Sequence, residues 1–391
     1  MSEWKECTLG ALGSVITGKT PSKNNPEDWG DKMPFVTPSD YKHYRKNAFS
    51  SVRNLSKDGI QRLKNKVLPP KSVLVTCIGS DMGRVVMNEV EVISNQQINS
   101  IIPDNKIVDN GFLYYCLVDM YDILKVYGGD GTAVPIVNKN DFENLGILLP
   151  PLPEQKAIAS VLSSLDDKID LLHRQNKTLE AMAETIFRQW FIEEADDGWE
   201  EVKVGDFVKL NDSIINAKDF SQEIRYLDTG SLTEGRIQEL KSFKIESAPS
   251  RARRIVKHND VLLSTVRPNQ KHYGILKNPG EDLIVSTGFC VITCDRIDPH
   301  FIYFFLTTDE MTDYLHSIAE GSTSTYPSLK PSDIELLVFR HPSQEMLNAF
   351  SEYSNNVWSK IEYNKNQITI LENLRTTLLP KLMSGVVSIN N

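Results

Sequence analysis

The chain states one pattern twice. Lys168-Ile169-Asp170 returns as Lys360-Ile361-Glu362, a shift of 192 residues. At the same shift Leu179-Glu180 meets Leu371-Glu372, Ile186-Phe187 meets Leu378-Leu379, Pro135 meets Pro327, and Asp141 meets Asp333. Between Pro153 and Pro342 the shift slips by three, as an indel in a connector requires. Trp4 and Trp199 each open a half, WKECTLGALGSVI against WEEVKVGDFVKLN, and VLPPKSVLVTCIG (67–79) has its counterpart in IVKHNDVLLSTV (255–266). A duplicated order along 391 residues constrains the fold more than any single motif, because each half must bury its own core in the same way.

Each half has two parts. The first, 1–150 or 199–341, carries short β-branched and aromatic runs cut by Gly, Pro, Asn and Asp. Lys71–Ile78, Val85–Ile93, Val261–Val266 and Leu283–Thr293 are predicted strands, followed by helical stretches at Gly111–Val126 and Pro299–Ala319. The second part, 154–192 or 344–385, is apolar at helical spacing. Ile158, Leu162, Leu165, Ile169, Leu172, Asn176, Leu179, Ala183, Ile186 and Trp190 alternate steps of four and three. Val357, Ile361, Asn364, Ile368, Leu371, Arg375, Leu378 and Leu382 do the same, so both stretches read as coiled-coil seams with one Asn each.

The two asparagines select a direction. A parallel pairing at the 192 shift sets Asn176 against Ile368 and Leu172 against Asn364, leaving buried amides unpaired at about 1–3 kcal/mol each. An antiparallel pairing with residue numbers summing to 540 sets Asn176 against Asn364 and Leu172 against Ile368. It leaves only Leu165 opposite Arg375 and Ile186 opposite Ser354 imperfect. The expected rod spans roughly 48 Å from 158 to 190 at 1.5 Å per residue. The fold class is therefore α+β: two pseudo-symmetric α/β halves separated by two long antiparallel coiled-coil helices.

Charge is uneven. The chain nets −9, which argues against indiscriminate binding to polyanions. Yet nine basic residues lie between Lys42 and Lys71 with Asp58 the one acid, a net of +8. Lys241 to Lys277 nets +7. Basic segments at equivalent places point to contact with a phosphate backbone. The candidates are Lys42, Arg45 and Lys46 in the first half, and Arg251, Arg253, Arg254 and Lys271 in the second. Near them stand side chains suited to base edges: Gln96, Gln97 and Asn99 for adenine, Arg84 and Arg267 for guanine, with Gln270 beside them. Lys19, Thr20 and Ser22, the loop holding Gly131 and Thr132, and its counterpart holding Ser322, Ser324 and Tyr326 complete the set as backbone contacts. Asn176 and Asn364 are register residues.

Enzyme signatures are scarce. Gly13–Thr20 (GSVITGKT) satisfies the phosphate-loop pattern, but Asn24-Asn25-Pro26 stops any helix that would point its N-terminus at a phosphate. No GxSxG, HExxH or methyltransferase tetrapeptide occurs, and the seven histidines lack ligand spacing, so no metal site is expected. Five cysteines without a CxxC pair, no signal-peptide pattern and no long apolar run lead us to expect a soluble cytoplasmic protein without membrane contact.

The run PPLPEQKAIASVLSSLDDKIDLLHRQNKTLEAMAETIFRQWF (150–191) resembles the central region of type I restriction–modification specificity subunits. So do W4…LG10…GKTPS (18–22), RARRIVKHNDVLLSTVRPN (251–269) and LENLRTTLLPKLMSG (371–385). The resemblance implies target-recognition domains at 1–150 and 196–342, a central conserved helix at 151–195 and a C-terminal conserved helix at 343–391. It implies double-stranded DNA as ligand, with each domain reading half of a split target. Two methyltransferase subunits and restriction subunits are the implied partners, carrying S-adenosylmethionine, ATP and Mg, while this chain binds no cofactor and is noncatalytic. The second helix departs from the pattern, since HPSQEM (341–346) lacks the double proline and EQK of the first. Two other readings stay open at this point: a P-loop NTPase built on Gly13–Thr20, and a coiled-coil scaffold that binds proteins and no DNA.

Overall fold

A computed structural model describes residues 4–129, 136–215, 223–321 and 327–389. The chain divides into two compact units, Met1–Leu172 with Asn366–Asn391, and His173–Lys365. Each takes a segment from both long helices.

In the first unit, five strands run in the order Gly13–Thr17, Ile98–Pro103, Val73–Thr76, Val85–Asn88, Asn47–Ala48. A second sheet orders Trp29–Gly30, Asn54–Leu55, Met33–Val36, Ile93–Ser94. Strand Lys5–Thr8 pairs with Gly146–Leu149 immediately before the central helix, Leu152–Arg188. The second unit repeats this plan. Val208–Leu210, Phe289–Cys294, Val261–Ser264 and Tyr273–Ile275 form its first sheet. Lys241–Lys244, Glu223–Leu227, Leu283–Ser286 and Ala252–Ile255 form its second. Glu201–Lys203 pairs with Val338–Arg340 just before the second long helix, Gln344–Met383. In both units the second sheet contains one parallel pair, Phe35 with Ile93 and Arg225 with Leu283, and the first unit adds another in its first sheet, Asn47 with Met87. The duplication written in the sequence is a duplication of topology.

Four expected elements differ in detail. Leu283–Thr293 is not one strand but two, Leu283–Ser286 and Phe289–Cys294, in different sheets. Gly288 makes the switch possible, because a Cβ there would sit 2.8 Å from the Thr229 side chain. Val85–Ile93 breaks likewise, its two ends pairing in separate sheets. A continuous β-branched run carries no sign of which sheet each part joins. The helical stretches also split, into Asn110–Asp119 with Tyr121–Gly129, and Pro299–Thr307 with Asp309–Glu320.

The main core of each unit lies between its first sheet, the short helix and the long helices. In the first unit Phe112, Leu113, Tyr115 and Leu117 pack among Val73, Val75 and Ile101 on one side and Ile158, Leu162 and Leu382 on the other. In the second, Phe301, Phe304 and Leu306 pack among Val261, Leu263, Phe187, Phe350 and Trp358. Gln155, from the PEQK motif, is buried and fastens the start of the central helix. Its amide donates to the carbonyls of Pro150 and Ile107 and its oxygen accepts the Asp109 N–H. That motif is structural. In the second unit Asp298, the counterpart of Asp109, instead accepts from Ser351 at 2.7 Å, two turns further along its long helix.

The long helices pair antiparallel within each unit. In the first, Ile158 and Leu162 meet Leu378 and Leu382, while Ile169 and Leu172 meet Ile368 and Leu371. In the second, Leu179 packs in the cluster with Ile361, Ala183 with Val357. Asn364 Nδ2 donates to Asn176 Oδ1 at 2.8 Å. The Asn364 side chain is fully buried and its own oxygen has no partner among the described residues. This pair is an energetic compromise that specifies register. Replacing both residues by Leu is expected to raise stability by about 1 kcal/mol, with less exclusive cross-linking between cysteines at 179 and 361. A variant that loses stability contradicts this.

Candidate nucleic-acid interface

At one end of the first sheet in each unit, three segments are tied together by backbone hydrogen bonds. In the first unit the loop after Val73–Thr76 begins at Cys77, whose N–H donates to the Gln97 carbonyl at 2.7 Å. The Cys77 carbonyl accepts the Val137 N–H at 2.8 Å. In the second unit Thr265 does the same, its N–H donating to Gly288 at 2.8 Å and its carbonyl accepting from Leu329 at 2.7 Å. Antiparallel pairing requires this convergence. Ile98 stands opposite Thr76 and Ser264 opposite Phe289, so the loop and the turn leave from the same edge.

The turns are built from short polar side chains. Asn95 Oδ1 accepts the Gln97 N–H at 3.1 Å in one unit, and Ser286 Oγ accepts the Gly288 N–H at 3.2 Å in the other. Gly18 brings the segment after Gly13–Thr17 against this turn, since a Cβ there would overlap the carbonyl oxygens of Ser94 and Asn95. Lys19 then donates its N–H to Ser94, and Thr20 Oγ1 donates to Gln96 Oε1 at 2.7 Å. In the second unit Arg267 and Lys271 both take left-handed backbone, φ 50° and 54°, on either side of a short 3-10 turn. Two non-glycine residues in that region within one loop mark a shape held by its surroundings.

The structure brings Lys19, Thr20, Gln96 and Gln97 together at this edge of the first unit, with Ser22 exposed just beyond, while Arg84 is exposed at the end of the 77–84 loop and lines a cleft with Tyr44, Arg45 and Arg375. Arg84 lies 3.4 Å from Asp81. In the second unit Arg251 joins the edge through its carbonyl, which accepts the Thr287 N–H, and Arg267 and Gln270 are exposed on the loop. Lys271 is held by Asp309 at 2.7 Å and faces Glu234 at 3.8 Å, and the Asp309 hydrogen bond raises its pKa. Lys42 is exposed on the 3-10 turn Pro38–His43. Gly131, Thr132, Ser322, Ser324 and Tyr326 lie outside the described residues.

Other candidates are placed elsewhere. Lys46 is buried, donating to Ser163 Oγ at 2.8 Å and Tyr115 OH at 3.2 Å, and burial lowers its pKa. Arg45 pairs with Asp170 on the central helix at 3.2 Å. Both fasten globular part to helix, Lys46 from within the core and Arg45 from a partly exposed position. Asn99 is also buried, accepting from Thr17 and donating to Val137. Arg254 differs from its neighbours: a bulge between Ala252 and Arg254 leaves Arg251 and Arg253 exposed, while Arg254 turns inward. Its Nε is buried without a partner among the described residues, and burial lowers its pKa.

The +8 run is not a patch of +8. Arg62 pairs with Glu27 and Asp28, Lys71 with Glu89, and Arg45 with Asp170, all acids from outside the run. Arg53 stacks on Trp29 with its guanidinium 3.3 Å from the ring centre. Lys277 similarly turns inward to Asn259 and to His300 at 2.7 Å, and burial lowers its pKa to about 8. Lys66 was the residue not singled out. It reaches the Thr17 carbonyl at 3.0 Å and so stands beside the Lys19 loop. Its place in the repeat, opposite Arg254 at the end of the Arg251–Arg254 cluster, was the signal available.

Gly13–Thr17 is a paired strand, and no helix follows Lys19-Thr20. The phosphate-loop reading fails there because the amides that would cradle an anion already bond within the fold, Gly18 to Ile98 and Lys19 to Ser94. No helix among the described residues is long and apolar enough to cross a membrane.

A family model described as the Type I restriction modification DNA specificity domain matches residues 1–181. The chain is 27% identical to the type I restriction enzyme MjaIX specificity subunit of Methanocaldococcus jannaschii, over 98% of this chain and 93% of that one. It is 24% identical to the MjaVIII specificity subunit of the same organism, over 100% and 94%. The family model and these near-full-length relatives support reading the chain as a type I restriction–modification specificity subunit. The crystal structure of the S subunit from M. genitalium shares the fold, with TM-score 0.59 and 15% identity over 98% of this chain and 96% of that chain. The likeness to these relatives and the internal repeat both run the length of the chain.

Proposed function

We propose that this chain is a type I specificity subunit that reads a two-part DNA target, with the convergent loops of each unit contacting one half-site. The observation that carries this is the recurrence of one construction, strand end, polar turn and returning chain, with exposed cations and amides around it in both units. Amides and guanidinia read base edges, while single cations position the duplex by phosphate contact. The long paired helices connect the units and set the gap between half-sites. The subunit is noncatalytic, works in the cytoplasm and binds no cofactor. Two methyltransferase subunits supply S-adenosylmethionine chemistry on adenine, and restriction subunits supply ATP- and Mg-dependent cleavage. The test is salt-dependent binding of the chain, assembled with its methyltransferase subunits, to its target and to random duplex. A steep fall of affinity with salt supports the reading, and no binding to any duplex at low salt returns it to a protein scaffold.

Four arginines separate in the same assay. Arg251→Ala with Arg253→Ala is expected to weaken target and random duplex alike and to reduce the salt slope by about 2. Arg267→Ala is expected to cost about 1–3 kcal/mol on the target and little on random sequence. Arg254→Ala should leave the slope unchanged. Equal loss on all duplexes for Arg267→Ala would remove it from base reading.

A further inference from the structure

The loop Phe49–Val52 displays two apolar side chains to solvent, Phe49 at 62% exposure and Val52 at 74%. Single exposed hydrophobics are ordinary on protein surfaces. This loop differs because its backbone is fixed. Ser51 Oγ accepts the Phe35 N–H at 2.9 Å and donates to the Arg53 carbonyl at 2.6 Å. Asp40 accepts the Val52 N–H at 2.9 Å, and Tyr44 donates to the Ser50 carbonyl. Ala48, the residue before, is fully buried. Mobility therefore does not account for the exposed side chains.

The position of the loop is informative. The second carboxylate oxygen of Asp40 holds the Thr37 N–H at 2.8 Å, and Val36, just before it, accepts the Asn95 N–H of the candidate turn. The apolar loop is thus braced to the segment that borders the proposed DNA-contacting edge of the first unit. Exposed Lys42 and Arg53 flank it, and the Arg53 guanidinium is already held flat on Trp29. Cations beside a rigid apolar tip match a polyanion whose interior is apolar. A fixed loop also loses little freedom when it binds.

We propose that Phe49 and Val52 form a wedge that enters double-stranded DNA and partly unstacks one base step in the half-site read by the first unit. The inference rests on the DNA-reading function proposed above and adds to it a deformation of the target. Proteins that insert Phe, Leu or Ile between base steps kink the duplex and gain specificity from how easily that step opens.

The experiment places 2-aminopurine at successive positions of the target duplex and follows its fluorescence with the chain and its methyltransferase subunits. Wild type should brighten the probe at one step of a single half-site. Phe49→Ala with Val52→Ala should abolish that rise and weaken target binding about tenfold, with less than about twofold change on random duplex. Phe49→Leu should keep the rise, which guards against a misfolded double variant. A double variant that keeps both signal and affinity overturns the wedge, as does equal loss on target and random duplex. If wild type binds no duplex at all, the DNA reading itself falls and the wedge with it.

Discussion

Replacing residues 1–150 by those of another specificity subunit should change one half of the methylated target and leave the other half untouched. The expected effect is complete, with a new sequence at one half-site and no change at the other. The physical reason is that each unit carries its own sheets, core and loop edge. Among the described residues, the hydrogen bonds that shape each set of loops come from its own unit. The measurement is the set of adenines modified in cells carrying the exchanged chain. Alteration of both halves would mean that recognition is shared between units and would contradict the proposal.

A second large effect is expected at Asp166. This carboxylate is buried on the central helix, accepts the Tyr115 hydroxyl at 2.6 Å, and pairs with Arg375 of the second helix at 2.7 Å. Lys46, itself buried, lies next to it through Tyr115 and Ser163. Burial, and then the Asp166 charge, raise the Tyr115 pKa, which keeps that hydroxyl a donor. Asp166→Ala would strand these donors and cations around an apolar gap. The side chain of Arg375 remains 40% exposed, which softens the penalty. A loss of about 2–3 kcal/mol in urea unfolding is expected, with Asp166→Asn intermediate because it still accepts one hydrogen bond. A change below about 0.5 kcal/mol for Asp166→Ala would show that the network contributes nothing to holding the helices.

Arg375 also shows where sequence reading stops. In the heptad count it was a flaw opposite Leu165, yet it is the residue that pairs with Asp166 one position along. Heptads expose the seam because a period of seven apolar positions has few other uses, and the Asn pair selected the antiparallel register for the same reason. Surface charge is different. The acids that neutralise the 42–71 run sit at 27, 28, 89 and 170, and only the folded chain brings them there. Strand assignment failed where Leu283–Thr293 changes sheets, because local pattern reports β structure and not its partner. Lys19 and Gln96, named from residue type, lie together in the folded first unit, and Arg267 is exposed on its loop in the second. Lys46, Asn99 and Arg254 were misplaced because residue type alone does not reveal burial.

The most direct test of a two-part target is a genome-wide map of modified adenines in cells that carry this chain with its methyltransferase subunits, compared with cells lacking the chain. The account predicts a motif present only with the chain, made of two short specified parts separated by a fixed unspecified gap, with one modified adenine in each part. A single uninterrupted motif, or a map that does not change when the chain is removed, would contradict it.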